Sequence, residues 1–243
     1  MVTFHGSDIN VQENRKNQAL FRYFAKKIDY TIPVGEVVAT NVKEKLQLPI
    51  GQLLPVGVDE KTFYPMAGVP KAYDFIFVGS FLIAKGVETL IDVITRLPKD
   101  TSFCLVGKGA LYETKFKQLQ SLGHTLEIKI DLSQDELRLL YNKSKFLFLP
   151  SKSEGFSSVT MEAMYCGVPV ITSNIPQFKE QIIQGENGFM LDTTDVNGLS
   201  DKMLQLKQLD TVAYTRLARG ASQSLKDLSL NNVCKELLKI YKA

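Results

Sequence analysis

From Tyr73 onward the sequence alternates between short apolar runs and amphipathic segments, and this alternation constrains the fold more than any other feature. The apolar runs are bounded by Gly, Pro or polar residues, which is typical of strands buried on both faces of a parallel sheet. They are Tyr73–Val78, Ser102–Val106, Leu126–Ile130, Phe146–Leu149, Val168–Ile171 and Gly188–Leu191. This repetition predicts a doubly wound α/β domain, with its ligand at the carboxyl ends of the strands.

The segments between these runs have helical periodicity. In the first of them, apolar residues recur at helical spacing at Val87, Leu90, Ile91, Ile94 and Leu97. A later segment begins with the capping-type sequence Ser133-Gln-Asp-Glu136. The apolar positions that follow this cap are Leu137, Leu140 and Tyr141. A further helix is predicted to begin near Ser157.

The first 66 residues have a less regular pattern. Short apolar runs predict strands at Val2–Phe4, Asp29–Val34 and Leu53–Val56, and amphipathic patterns predict helices at Val11–Ile28 and Glu36–Leu46. A complete α/β domain usually needs more than about 100 residues, so this stretch is too short to be one.

A linker runs from Val58 to Pro70, and we place a domain boundary within it. The sequence thus predicts a partial N-terminal domain over residues 1–66 and a complete C-terminal domain over residues 67–226. The amphipathic pattern of Asn231–Lys242 predicts a helix within residues 227–243, which can pack back on the N-terminal part.

Composition excludes several classes of protein. The 29 basic and 26 acidic residues give a net charge of +3, too weak a bias for a nucleic-acid binder. Cys104, Cys166 and Cys234 lie far apart with no zinc-site spacing, as expected of reduced thiols in the cytoplasm. No apolar run approaches the roughly 18 residues that span a bilayer, and the start lacks the features of a signal peptide. We expect a cytoplasmic protein that at most lies on the inner face of the cell membrane.

The most informative stretch runs from Leu149 to Ile171, where an apolar strand ends, a Ser/Gly loop follows and a helix begins. Free backbone N–H groups and the positive end of the helix dipole make such a junction suitable for phosphate. Glu154 lies in the loop and Glu162 in the second helical turn, so both can face the same crevice. Their carboxylates are suitable acceptors for sugar hydroxyls. The alternative is that Glu154 is a surface residue and Glu162 a solvated one.

This stretch resembles family 4 of the retaining glycosyltransferases, which have the GT-B fold of two Rossmann-like domains. The spacing from Glu154 to Glu162 is that family's E-x7-E pattern. The matching flanks are Pro150-Ser151, the Glu-Gly-Phe triplet at 154–156, Glu162-Ala-Met164 and Gly167-Val-Pro-Val170. The resemblance implies that Glu154 contacts the donor sugar and Glu162 the nucleotide ribose. It also assigns to donor binding Gly155, Phe156, and the backbone amides around Ser158 and Val159, which would hold the diphosphate.

The segment Phe77–Gly86 is similar to the family's phosphate-binding segment, in which a strand, a glycine turn and a Lys-Gly pair follow one another. This implies that Gly79 and Ser80 line the donor site and that Lys85 neutralises the leaving diphosphate. The family usually has an arginine directly after the first glycine, where this chain has Ser80. One of two cations is therefore missing, and transition-state stabilisation should be weaker. The alternative reading is a solvated Lys85 at a helix start.

Three further segments match the family. Val106-Gly-Lys-Gly109 resembles its short glycine turn, and the same resemblance implies that the nucleobase contacts the backbone near Ile130 and Leu132. Thr3-Phe-His-Gly-Ser-Asp8 resembles its His-Gly-x-Asp segment, which implies that His5 faces the donor sugar across the cleft. Gly57–Pro65 resembles its exit into the second domain.

The predicted helix at Val11–Ile28 is basic and amphipathic. Its basic residues are Arg15, Lys16, Arg22, Lys26 and Lys27, and its apolar ones include Leu20, Phe21 and Phe24. Such a helix can rest on an anionic membrane surface. A solvated basic face over ordinary core residues is the alternative.

The expected function is sugar transfer from a nucleoside diphosphate-sugar, with UDP or GDP as the nucleotide, to an acceptor hydroxyl. The resemblance implies a polysaccharide, glycolipid or lipid-linked acceptor, retention of configuration, and no metal or other cofactor. It begins in the middle of the family's first domain, so we expect an N-terminally truncated chain that binds a donor without transferring it alone. A non-catalytic nucleotide-sugar-binding module, or a sugar-nucleotide epimerase or hydrolase, are the alternatives.

Overall fold

The computed structural model describes residues 1–6, 9, 23, 25 and 27–242, with the exception of the side chains of Leu111 and Lys226. The N-terminal part contains a parallel pair of strands, β1 (Val2–Phe4) and β2 (Thr31–Pro33). Helix α1 (Glu36–Asn41) follows, and a π-helical turn over Val42–Leu46 continues it.

Six parallel strands form the main sheet. They are β3 (Tyr73–Val78), β4 (Phe103–Val106), β5 (Leu126–Lys129), β6 (Ser144–Leu149), β7 (Val170–Ser173) and β8 (Gly188–Leu191). Their order is β5-β4-β3-β6-β7-β8, so the chain builds outward from β3 in one direction and then returns to continue from β6 in the other. Strands β3 and β6 thus flank the topological switch point, where open α/β sheets bind their ligands.

Helices connect these strands and close the chain. They are α2 (Val87–Arg96), α3 (Ala110–Ser121), α4 (Gln134–Asn142), α5 (Ser158–Tyr165), α6 (Val196–Lys207), α7 (Thr211–Gln223) and α8 (Leu230–Lys242). The predicted cap at the start of α4 is confirmed as a capping box between Ser133 and Glu136. Ser157 caps α5, and Asp195 and Asp210 cap α6 and α7.

The core lies within the sheet and between the sheet and its helices. Phe75 on β3 stands opposite Phe103 on β4 and Phe146 on β6, with ring centroids 5.3 Å and 6.2 Å away. All residues of β4 and all but the first of β3 are buried, as expected of strands covered on both faces. The predicted α/β class with a doubly wound parallel sheet is confirmed.

The structure corrects two predicted strands. Leu53–Val56 is not a strand, because Pro55 has no N–H to donate and the segment only makes isolated bonds such as Leu54 N to the Pro33 carbonyl. The strand predicted at Val168–Ile171 begins instead at Val170, since Pro169 cannot donate to the ladder. The predicted helix at Val11–Ile28, with its basic face, falls largely outside the described residues.

The linker that leaves the N-terminal part and the segment that leads into α8 lie side by side. Val58 and Ser229 form a parallel bridge, and Leu230 N donates to the Val58 carbonyl at 2.8 Å. A Cβ on Gly57 would lie 2.8 Å from the Cα of Leu230, so the linker and the start of α8 touch through their backbones. In the described part of the chain, no helix combines the length and apolarity needed to span a bilayer.

The loops after β3 and β6 also meet at backbone distance. Gly86 adopts a left-handed conformation with φ of 70°, and a Cβ there would lie 1.9 Å from the Pro150 carbonyl oxygen. Lys152 N donates to the Ala84 carbonyl at 2.8 Å across the same junction. The two loops that flank the switch point are therefore held together by backbone contacts.

Substitution of Gly86 by Ala should destabilise the protein for two reasons, the left-handed backbone and the clash with Pro150. Gly68→Ala is a matched control, because Gly68 has φ of 77° but nothing within 4 Å of its would-be Cβ. The control should cost about 1–2 kcal/mol, and Gly86→Ala about 1–3 kcal/mol more. Chemical denaturation measures both, and equal losses would refute the close approach at Gly86.

Candidate functional site

The candidate site lies at the carboxyl ends of β3 and β6. Strand β3 continues through Gly79 and a 3₁₀ turn over Ile83–Lys85 into α2, and β6 continues through residues 150–157 into α5. The Lys85 ammonium lies 2.7 Å and 2.9 Å from the two carboxylate oxygens of Glu154. The side chain of Glu154 is only 8% exposed, whereas that of Lys85 is 33% exposed. The structure thus joins these two predicted site residues in a half-buried ion pair that an anionic ligand can reach.

The start of α5 is fixed by side-chain hydrogen bonds. The hydroxyl oxygen of Thr160 lies 2.8 Å from both the Ser157 carbonyl and Oε1 of Gln181, so its one proton can be donated to either, and the Gln181 amide donates to the same Ser157 carbonyl at 3.1 Å. The amides of Ser158 and Val159 are the first two of the helix and have no partner within it. They are available to an anion. Sequence reasoning missed Gln181, since a lone glutamine outside any motif carries no signal.

Glu162 is half-buried. Its Oε2 accepts a hydrogen bond from the Tyr141 hydroxyl of α4 at 3.0 Å. Burial raises the pKa of Glu162 from its ordinary 4.5 to about 7, and the bond from Tyr141 only partly opposes this. The Glu162 carboxyl is therefore divided between its charged and neutral forms near neutral pH. Glu154 thus contacts the 3₁₀ turn that precedes α2, whereas Glu162 contacts α4.

The N-terminal segment reaches the loop that carries Glu154. Gly6 has φ of 104°, and a Cβ there would lie 2.4 Å from the Cα of Gly155. A Cβ on Gly155 would in turn lie 1.9 Å from the carbonyl oxygen of His5. The backbone of His5 thus touches the predicted donor loop, while the His5 residue as a whole is exposed. Asp8 lies outside the described residues.

The other predicted residues surround this centre. Gly79 directly follows β3 and its carbonyl lies against Gly107 of the glycine turn, while Ser80 is exposed and Phe156 buried. Ile130, 54% exposed, and the half-buried Leu132 follow β5, on the far side of β4. The structure therefore brings Lys85, Glu154, Gly155, His5 and the start of α5 together, with the proposed nucleobase positions further along the same edge.

This arrangement suits an anionic, hydroxyl-rich ligand. A lysine and unpaired helix amides can hold a diphosphate, and two carboxylates of different character can accept from hydroxyl groups. Among the described side chains, no group of three His, Cys, Asp or Glu residues forms a metal site.

Comparison with known proteins identifies the family. Residues 66–223 match the family described as Glycosyl transferases group 1. The chain belongs to this family. An uncharacterized glycosyltransferase of Methanocaldococcus jannaschii is 31% identical over 245 residues, which cover 99% of this chain and 67% of that protein. The O-antigen chain mannosyltransferase B of Escherichia coli is 35% identical over 175 residues, which cover 69% of this chain and 45% of that protein.

Solved structures show the same fold. HepE of Anabaena, in complex with UDP and glucose, superposes with a TM-score of 0.85 at 16% identity. The match covers 100% of this chain and 71% of HepE. The chain therefore has the fold of the GT-B glycosyltransferases and spans only part of the length of these relatives.

The raised pKa of Glu162 predicts a pH-dependent stability. The folded state binds a proton more tightly than the unfolded one, so the contribution of Glu162 is favourable below pH 4.5 and is lost as pH rises through about 7. The variant Glu162→Gln imitates the neutral form. The free energy of unfolding of this variant should rise relative to that of the wild type as pH increases from 5 to 8, by about 3 kcal/mol at most.

Chemical denaturation at several pH values measures this difference between variant and wild type. Because the difference cancels the titration of all other groups, a difference that stays constant with pH would contradict the raised pKa.

Proposed function

We propose that this chain forms the donor-binding part of a family 4 retaining glycosyltransferase, which moves a sugar from a nucleoside diphosphate to an acceptor hydroxyl. The observation that carries the proposal is the half-buried Lys85–Glu154 pair near the start of α5 at the switch point, where the first helix amides have no partner within the helix. The E-x7-E spacing of Glu154 and Glu162 supports the family 4 assignment. Residues 1–66 and 67–226 are the two proposed domains, and residues 227–243 the closing helix.

In this proposal the donor diphosphate lies between the start of α5 and Lys85. The amides of Ser158 and Val159 and the helix dipole bind the phosphate oxygens. On donor binding, the Lys85 ammonium moves from Glu154 to the diphosphate or contacts both. It then offsets the charge that develops on the leaving diphosphate. Ser80 adds no cation, so Lys85 supplies the cationic stabilisation of this segment.

The other donor contacts follow from the same placement. Glu162 accepts hydrogen bonds from the ribose, the backbone from Ile130 to Leu132 contacts the nucleobase, and Glu154 accepts from the sugar hydroxyls. Gly155, Phe156 and Gly79 line the pocket, and His5 faces the sugar from the N-terminal part. Retention follows if the acceptor attacks the face from which the diphosphate departs and its proton passes to a diphosphate oxygen.

The proposed setting is cell-surface polysaccharide or glycolipid synthesis on the cytoplasmic side, with peripheral contact to the inner face of the membrane. The name of the E. coli relative, an O-antigen chain mannosyltransferase, supports a polysaccharide or lipid-linked acceptor. The complex of HepE with UDP and glucose supports UDP as the nucleotide, and GDP is the other candidate. The reaction needs no cofactor in this scheme.

A non-catalytic binding module is the second candidate, and Ser80 favours it because a cation is absent where the family usually has one. Both candidates bind the donor. Turnover of the bound nucleotide-sugar with an acceptor, by this chain or by a longer protein that contains it, separates them.

The first test is a thermal-shift and calorimetric screen against UDP, GDP, ADP and their sugar conjugates. A ligand that binds only the folded state raises its stability by mass action. We expect a selective rise with one nucleotide, which names the base. If none of these ligands binds, the chain does not hold the donor site by itself.

Lys85→Ala should weaken binding of the selected nucleoside diphosphate about 10- to 100-fold, as expected for a lost charge-assisted hydrogen bond. Lys152→Ala is the matched control, because Lys152 lies in the neighbouring loop and pairs at 3.3 Å with the exposed Glu88. The control should bind like the wild type. Equal affinities of the two variants would remove Lys85 from the site.

A further inference from the structure

Tyr141 contacts Glu162, the proposed ribose-binding residue. It is fully buried on α4, and its hydroxyl is 3.0 Å from Oε2 of Glu162. Burial and the nearby Glu162 carboxyl hold the pKa of Tyr141 well above its usual range. The phenol is therefore protonated at neutral pH and donates to Glu162.

The two oxygens of Glu162 are in different surroundings. Oε2 accepts a hydrogen bond from Tyr141, whereas Oε1 accepts none from the described residues. Oε1 is also not one of the fully buried side-chain atoms that lack a hydrogen-bond partner, so it is accessible to solvent. Oε1 is therefore open to a ligand in the crevice. A hydrogen bond to one carboxylate oxygen fixes the rotation of the group about its Cγ–Cδ bond. The direction in which the other oxygen points is therefore defined.

We infer that Tyr141 is a positioning residue for the donor nucleotide: it holds one oxygen of Glu162 and turns the other toward the ribose hydroxyls. This inference rests on the proposed function, in which Glu162 binds the ribose. It adds a residue of a different helix, outside the E-x7-E segment, to the determinants of nucleotide affinity.

The contact also acts on the charge of Glu162. A carboxylate can accept from both ribose hydroxyls, whereas the neutral acid has one oxygen that must donate. Burial raises the pKa of Glu162 to about 7, and the hydrogen bond from Tyr141 opposes this by favouring the carboxylate. Cys166, at the end of α5, also interacts with Glu162, but burial raises the pKa of its thiol to about 12, so it is neutral. Within the described chain, Tyr141 is thus the group that promotes the charged form of Glu162.

The linker holds Tyr141 in place. The ring of Phe63 packs edge-on against it with centroids 6.1 Å apart. On the same helix, Arg138 donates to the Thr62 carbonyl at 3.0 Å, and Asn142 accepts from Met66 N at 2.7 Å. Because the linker covers this face of α4, Tyr141 cannot turn away from Glu162 without disrupting several contacts.

The test compares Tyr141→Phe with two other variants. Tyr165→Phe is the matched control, since Tyr165 is a half-buried tyrosine of α5 whose hydroxyl donates to the Leu225 carbonyl at 2.7 Å rather than to Glu162. Glu162→Gln removes the carboxylate itself. Calorimetry measures the affinity of each folded variant for UDP and GDP from pH 6 to pH 9, and thermal unfolding confirms that each variant is folded.

Tyr141→Phe should weaken binding about three- to tenfold at pH 7, as expected for one lost hydrogen bond, and should recover much of the loss at pH 9, where Glu162 is charged without help. A purely structural tyrosine would give a loss that does not depend on pH. Tyr165→Phe should follow the wild type at every pH.

The outcomes separate this inference from the proposed function. If Glu162→Gln weakens binding while Tyr141→Phe matches the Tyr165→Phe control at every pH, the role of Tyr141 is refuted and the ribose role of Glu162 stands. If Glu162→Gln binds both nucleotides as the wild type does, the ribose role of Glu162 falls, and the inference with it.

Discussion

The candidate site depends on the backbone contact between the loops that follow β3 and β6. Gly86 has no Cβ and adopts a left-handed conformation, so it can lie against the Pro150 carbonyl. This contact brings the turn that carries Lys85 to the loop that carries Glu154. The order of the strands creates a crevice at this point, and the glycine makes the crevice narrow enough for an ion pair across it. Fold and site are therefore set by the same local geometry.

The two glutamates illustrate how burial and partners give one residue type two roles. Glu154 forms an ion pair with Lys85 at 2.7 Å. Glu162 is half-buried and faces a neutral tyrosine instead of a cation, so burial raises its pKa to about 7 although the bond from Tyr141 opposes this. One site thus combines Glu154, which forms an ion pair with Lys85 in the absence of ligand, with Glu162, a carboxyl group that titrates near neutral pH. In the proposed reaction, the first lies at the sugar and the second at the ribose.

Much of the fold was predictable because local signals agree with it. The apolar runs locate the six strands of the main sheet to within about two residues, a typical uncertainty for element boundaries. Ser133 caps α4 as predicted, and α5 begins at Ser158, next to the predicted start near Ser157. The motif residues Lys85 and Glu154 do meet in the structure. The hydrogen bond between Tyr141 and Glu162 was not predictable, because periodicity places Tyr141 on a buried helix face but does not say what its hydroxyl contacts on another helix. The strand predicted at Leu53–Val56 was wrong because its apolar residues pack against the protein without the regular backbone hydrogen bonds of a sheet.

The central claim is that a nucleoside diphosphate binds between Lys85 and the start of α5, and a crystal structure of the chain with the nucleotide that it binds tests this most directly. The account predicts phosphate oxygens within hydrogen-bond distance of the Ser158 and Val159 amides, the Lys85 ammonium on the diphosphate, and the ribose at Glu162. A diphosphate bound elsewhere, with the contact between Lys85 and Glu154 unchanged at 2.7 Å, would contradict it.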